Sequence, residues 1–207
     1  MDSHDMIRIH FHTSNVRTLG PGNRYVLWTQ GCLKHCAGCI SPEARDMEGG
    51  MLVSVDSLTE KILAVSEIEG LTISGGEPFL QPQALCTLID KLRISRDLGV
   101  IVYTGYTIEE IRESDNHEAL GLLDRIDLLI DGPYIEAQND DCMLRGSSNQ
   151  RAISLTDRYV EYLSDYGKTG RRPIEYRATE TGFFVIGIPD KLRADLLGIT
   201  SKDGNKT

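Results

Sequence analysis

The sequence predicts an α/β protein with a mainly parallel sheet, and three observations carry that prediction. Short apolar runs suited to strands alternate with stretches patterned for helices. Helix starts are marked chemically, by two Ser/Thr-x-x-Glu boxes and by a proline ahead of an apolar stripe. Three of the strand runs end in loops carrying glycine: Ser74-Gly75-Gly76-Glu77, Thr104-Gly105-Tyr106 and Asp131-Gly132-Pro133. Parallel α/β proteins bind ligands outside the carboxyl ends of their strands, so these loops are expected to share one functional face.

Taken in order, Ile7 to Phe11 reads as the first strand, followed by the turn Gly20-Pro21-Gly22-Asn23. Tyr25 to Trp28 is the next strand and runs into a cysteine-rich loop. Ser57-Leu58-Thr59-Glu60 matches a capping box, with Leu58, Ile62 and Val65 on one helix face. Leu71 to Ile73 is a short strand. Pro82 suits the first turn of a helix that buries Leu85, Leu88, Ile89 and Leu92. Val100 to Tyr103 is a strand, Thr107 to Glu110 a second capping box, and Leu128 to Ile130 another strand. Ala152 to Leu155, a helix from near Thr156, and a strand over Phe183 to Ile188 complete the pattern. Strand–helix alternation implies mainly parallel strands with helices covering the sheet.

A chain of 207 residues, 40% hydrophobic, can bury one sizeable core, so residues 1–207 are expected to form a single domain. The polar tail after Leu197, about the last ten residues, is expected to be disordered. A net charge of -9 opposes a nucleic-acid partner. No run is apolar enough to span a membrane, and Met1 to His12 lacks a secretory pattern, so the expected location is the cytoplasm.

Three of the five cysteines form Cys32-Leu33-Lys34-His35-Cys36-Ala37-Gly38-Cys39, a C-x3-C-x2-C run inside the loop 29–40. An odd count without a leader argues against a disulfide framework. Thiolates suit iron–sulfur clusters, zinc or cuprous copper. A closed four-iron cluster takes four cysteines, so three leave one iron open to a ligand. The competing reading is a zinc knuckle of the three cysteines plus His35, although zinc sites usually pair C-x2-C units and the second pair is missing.

This run, in Trp28-Thr29-Gln30-Gly31-Cys32, together with the downstream Gly75-Gly76-Glu77-Pro78, resembles the radical S-adenosylmethionine (SAM) superfamily. Within it the chain is most similar to the anaerobic ribonucleotide reductase activating proteins. That resemblance rests on Gly20-x-Gly22-x-Arg24, Cys36-x-Gly38-Cys39, Tyr103 to Tyr106, Asp131 to Tyr134, and Arg145-Gly146-Ser147-Ser148-Asn149-Gln150-Arg151. It covers about Ile7 to Arg151. Many superfamily members carry an aromatic residue before the third cysteine; here Gly38 stands there, so adenine must find its apolar contacts elsewhere.

The resemblance implies the radical SAM fold, an incomplete (β/α)6-type barrel of mainly parallel strands. It implies a [4Fe-4S] cluster on Cys32, Cys36 and Cys39, with SAM chelating the open iron through its amino and carboxylate groups. Reductive cleavage of SAM then gives a 5′-deoxyadenosyl radical that abstracts hydrogen. Ser74, Gly75, Gly76 and Glu77 would lie along the methionine moiety, Thr104 and Asp131 near the ribose or methionine end, and Arg145 with Ser147 to Asn149 beside cofactor or partner. No catalytic residue is implied beyond these ligands. The implied partners are a glycyl-radical enzyme, as substrate, and a flavodoxin- or ferredoxin-type electron donor meeting a basic patch near Lys34.

Structural readings stand beside these. Glu77 is better suited to brace its loop than to move protons. Asp131 before Gly132-Pro133 is equally a turn residue, and Ser147-Ser148-Asn149 equally a solvated loop. His35 is expected on the surface or behind the ligands. Cys86 is expected on the core face of its helix and Cys142 as a free thiol. Two other functions remain open: a radical SAM enzyme acting on a ribosomal peptide or small metabolite such as a deazapurine precursor, and a zinc or iron–sulfur structural module.

Overall fold

The computed structural model describes residues 5–164, 172–179 and 182–189. The tail after Leu197, expected to be disordered, lies outside the described residues. Seven strands form one sheet: β1 (Met6–Val16), β2 (Arg24–Thr29), β3 (Met51–Ser54), β4 (Gly70–Gly75), β5 (Gly99–Tyr103), β6 (Leu128–Asp131) and β7 (Arg151–Ser154), in the order β3-β1-β2-β4-β5-β6-β7. The four central strands β2, β4, β5 and β6 are parallel, with Leu27 opposite Ile73 and Ile73 opposite Val102. A separate hairpin pairs β8 (Ile174–Thr179) with β9 (Gly182–Gly187).

The sheet is mainly parallel, as expected, with antiparallel strands at its edges. β1 runs antiparallel to both β2 and β3, and β7 runs antiparallel to β6. The turn at Gly20–Asn23 explains β1, because so short a connection returns the chain alongside itself, whereas a parallel pair needs a long crossover. The parallel set thus numbers four of the seven strands of this sheet.

The strands carry apolar residues on both faces, as buried parallel strands should. Alternation sends Tyr25, Leu27, Leu71, Ile73, Val100, Val102 and Leu129 to one side. There they meet helices α1 (Val55–Leu63), α2 (Pro82–Ser95), α3 (Ile108–Glu113) and α4 (His117–Leu123) through Leu58, Ile62, Leu85, Leu88, Ile89, Ile111 and Leu122. On the other side Val26 and Trp28 pack on Ile186, and the Phe184 ring lies 4.3 Å from Phe11 and 5.3 Å from Trp28. The β8–β9 hairpin thus covers that end of the second face. Ile101, Leu128 and Ile130 pack on Leu144 and on Tyr159, just ahead of α5 (Val160–Ser164).

Helix α1 begins earlier than the Ser57 box predicts. Ser54 is the cap, its hydroxyl accepting from the Ser57 amide at 3.2 Å. Ser54 lacks the glutamate of the box, but Val55 and Leu58 both reach the core, which favours the earlier start. The Thr107–Glu110 box forms as predicted, with Thr107 Oγ1 accepting from the Glu110 amide and Glu110 accepting from the Thr107 amide. Pro82 opens α2. No helix among the described residues is long and apolar enough to cross a membrane.

Candidate functional site

At the carboxyl ends of β2, β4, β5 and β6 four loops are bonded each to the next. The Gly76 amide donates to Thr29 O and the Glu77 amide to Gly31 O, both at 2.8 Å, which ties the β4 loop to the chain entering the cysteine run. Glu77 carries the bonding onward. Its Oε1 accepts from Thr104 Oγ1 (2.8 Å) and from the Phe79 amide (3.0 Å), and its Oε2 accepts from the Gly105 amide (2.8 Å). The Gly132 amide then donates to Tyr106 O at 2.9 Å and brings in the β6 loop.

The cysteine run is anchored at its start. The Gly31 amide donates to Ala44 O and the Cys32 amide to Arg45 O, so the chain returning through Pro42–Arg45 backs the loop. Gln30 holds that return with two bonds from Nε2, to Glu43 O and Asp46 O. Gly31, at φ +95, turns the chain out of β2. Gly75 and Gly76 permit the close approach of β4: a Cβ on Gly75 would lie 2.4 Å from Thr29 N and O, and one on Gly76 2.2 Å from Gly31 O.

Cys32, Cys36 and Cys39 are half-buried free thiols. Burial pushes the Cys32 thiol up, hydrogen bonding by the Lys34 backbone acts against it, and Glu77, Cys39 and Cys36 reinforce it. Burial likewise raises Cys39, with Cys36 adding to it. Charge on neighbouring sulfurs thus adds to what Cys32 and Cys39 meet on ionising, and bound metal would relieve it. Among the described residues no three His, Cys, Asp or Glu side chains converge on a single metal ion. In an iron–sulfur cluster each thiolate ligates a different iron. The donor set is soft, carries no disulfide and keeps no fourth cysteine beside it, which fits a three-cysteine cluster. His35, the fourth ligand of the zinc alternative, is exposed.

The remaining expected residues divide. Ser74 is half-buried at the end of β4, opposite Trp28, and its carbonyl accepts from Thr29 Oγ1. Glu77 and Thr104 are buried and engage each other, so Glu77 braces its neighbours as anticipated. Burial raises the Glu77 carboxyl, while the Phe79 and Gly105 amides, the Thr104 hydroxyl and Lys34 lower it. Asp131 is fully buried, but Arg151 binds both of its oxygens and the Ile108 amide donates to Oδ2 at 2.8 Å. Its side chain anchors α3 to the sheet edge. Arg145 pairs with Asp140. Ser147 Oγ accepts from the Ile135 amide, and Asn149 Nδ2 donates to Pro133 O, leaving Asn149 Oδ1 buried without a hydrogen-bond partner. Cys86 packs half-buried against the core and Cys142 is a half-buried free thiol.

Replacing Asp131 by alanine is expected to cost about 2 kcal/mol, since it strands a helix amide and leaves the half-exposed Arg151 without its buried partner. The midpoint of urea denaturation measures this, and an unchanged midpoint would show that water replaces the carboxylate.

Sequence reasoning passed over Gln30, Gln150 and Arg172. Gln150 Oε1 accepts from the Gly146 amide at 2.7 Å, and its Nε2 donates to Gly132 O at 2.8 Å. The buried Arg172 donates to Arg145 O at 2.9 Å, to Asp141 at 2.9 Å and to Asn139. Gln150 closes the polar stretch already noted at Arg145–Arg151, which was its available signal; Arg172 stands in unpatterned sequence. Arg24, part of the Gly20–Arg24 motif, lies at the opposite end of the sheet. Its guanidinium is fully buried and donates to Thr72, Tyr159, Leu71 O and Gly99 O.

Comparison with known proteins agrees with this geometry. The family described as 4Fe-4S single cluster domain matches residues 18–153. The anaerobic ribonucleoside-triphosphate reductase-activating protein of Enterobacteria phage T4 is 34% identical over 144 residues, covering 67% of this chain and 88% of that protein. The protein of the same name from Haemophilus influenzae is 33% identical, over 63% of this chain and 87% of its own length. The pyruvate formate-lyase-activating enzyme of Clostridium pasteurianum is 35% identical over 58% of this chain and 52% of its own length. With two thirds of its length matched, the chain belongs to the 4Fe-4S single-cluster-domain family, among the relatives of the anaerobic ribonucleoside-triphosphate reductase-activating proteins.

Proposed function

We propose that this chain is a radical SAM enzyme that installs a radical on a glycine of a partner enzyme. The observation that carries the reading is the joining of the cysteine run to Gly75-Gly76-Glu77 by the Gly76–Thr29 and Glu77–Gly31 backbone bonds. In this reading Cys32, Cys36 and Cys39 hold three irons of a [4Fe-4S] cluster and the fourth is open to SAM. When bound, the group would supply one-electron cleavage of the sulfonium C–S bond of SAM, with methionine as the leaving group and the glycine hydrogen ending on 5′-deoxyadenosine. The protein's own work is positional. Gly75 and Gly76 let backbone run close under the methionine moiety, with Ser74 beside them. Glu77 and Thr104 hold the Tyr103–Tyr106 loop. Asp131 holds the β6 loop, and Arg145 with Asn149 borders the open side.

The four parallel strands are read as the part of an incomplete barrel that carries the site, within one domain spanning 1–207. The names of the relatives support an anaerobic ribonucleoside-triphosphate reductase as partner. The electron donor in this reading is a flavodoxin- or ferredoxin-type protein, and neither nucleic acid nor membrane takes part. Five free thiols fit a reducing compartment, here the cytoplasm.

Protein purified without oxygen, reconstituted with iron and sulfide, and given dithionite and SAM is expected to form 5′-deoxyadenosine and methionine in equal amounts. Adding an anaerobic ribonucleoside-triphosphate reductase is expected to give a glycyl-radical signal in electron paramagnetic resonance (EPR). A cluster that never cleaves SAM overturns the reading. Cleavage without a glycyl radical moves the substrate to a peptide or small metabolite.

A further inference from the structure

The cysteine run contains one cation whose placement the function does not yet use. Lys34 lies between Cys32 and Cys36, and its ammonium sits 4.2 Å from the centre of the Tyr106 ring and 3.6 Å from Glu110 Oε1. Its stem packs toward Gly105, where a Cβ would meet Lys34 Cγ at 3.3 Å. Its carbonyl accepts from the Cys32 thiol at 3.6 Å. The buried Glu77 carboxylate also feels its charge. Lys34 therefore stands between two carboxylates, one from the β4 loop and one from α3, with an aromatic face beneath it. A docking patch for an electron donor needs an exposed ammonium, but this one is already engaged and only 27% exposed.

Resting on the proposed cluster, we infer that Lys34 is a positioning residue which clasps the cysteine loop to the Tyr103–Glu110 segment and whose charge, balanced by Glu110, sets the reduction potential of the metal bound there. Two physical reasons support this. The loop between Cys32 and Cys39 has few bonds of its own, the Cys36–Cys39 turn and the Cys32–Lys34 contact among them, so an anchor in its middle limits its motion. Iron–sulfur potentials respond to net charge near the cluster, and a cation favours the reduced form. A cation on a partly desolvated aromatic face is also held more firmly than one in water.

Because Lys34 and Glu110 carry opposite charges, their removal gives opposite results. Lys34→Met keeps the stem and loses the charge. Glu110→Gln keeps the helix cap, since an amide oxygen can still accept from the Thr107 amide. The test measures the midpoint potential of the reconstituted cluster by EPR-monitored redox titration, and iron loss to a chelator, in the wild type, both variants and Lys34→Arg. The expected result is a more negative midpoint in Lys34→Met and a less negative one in Glu110→Gln. Iron should be held about 10–100-fold more weakly in Lys34→Met, the usual cost of removing a group behind metal ligands. Lys34→Arg, which can still stack on Tyr106, should stay near wild type. Equal midpoints in all four proteins, or shifts of one sign for both charge removals, overturn the inference. They would leave SAM cleavage by the wild type, and so the proposed function, untouched.

Discussion

Alanine at position 76 is expected to lower 5′-deoxyadenosine formation by at least about 100-fold while leaving the fold intact. The added Cβ would lie 2.2 Å from Gly31 O and 2.7 Å from Ala44 O. Both atoms are backbone, and both already accept: Gly31 O from the Glu77 amide and Ala44 O from the Gly31 amide. Neither can swing aside as a side chain would. The methyl must instead displace Gly31, which immediately precedes Cys32, so the strain falls on the thiols. Gly105→Ala is the milder comparison, because the nearest atoms to its Cβ would be flexible side-chain atoms of Lys34 and Glu77, the first at 3.3 Å. Iron content, 5′-deoxyadenosine yield and far-ultraviolet circular dichroism together separate a moved loop from an unfolded chain. Wild-type turnover in Gly76→Ala would mean that the two loops can part without moving the sulfurs.

Replacing Arg24 by methionine is expected to cost about 3–5 kcal/mol of folding stability. Swapping a buried ion pair for apolar side chains is often harmless, but among the described residues Arg24 has no carboxylate within bonding distance to remove with it. Its partners are the Thr72 and Tyr159 hydroxyls and the carbonyls of Leu71 and Gly99. Methionine fills the volume and leaves those acceptors buried. Burial already pulls the guanidinium pKa down, against the pull of Tyr159, which shows how dry the position is. Denaturation by guanidinium chloride, followed by circular dichroism, measures the loss. A change under 1 kcal/mol would mean that water enters and satisfies the carbonyls.

The sheet centre and the cysteine loop were legible because local chemistry specifies them. Apolar runs name β2, β4, β5 and β6, and Pro82 and the Thr107–Glu110 box name two helix starts. Strand direction was not legible, since a period of two reads the same either way; β1 shows this. β3 was missed because Met51 and Leu52 are exposed on the sheet edge and carry no alternation to detect. Glu77 showed its bracing role from its own loop. Asp131 did not, because its partner Arg151 faces it through the β6–β7 register, twenty residues later. Arg24 stood in a motif shared with the activating proteins, yet it lies at the far end of the sheet. A short motif marks a constrained position without saying whether the constraint is chemical or architectural.

The bond from Arg24 to Tyr159 joins positions 135 residues apart. Its consequence is one of timing. A chain emerging from the ribosome can build β2 early, but it meets Tyr159 only after three quarters of its length has been made. Until then the buried guanidinium lacks one of its acceptors, and the loop to be closed is long. The full set of partners of Arg24 is therefore complete only once Tyr159 has been made. A truncated or stalled chain is left with a loosened second face, and it would not present a finished cradle for iron and sulfide.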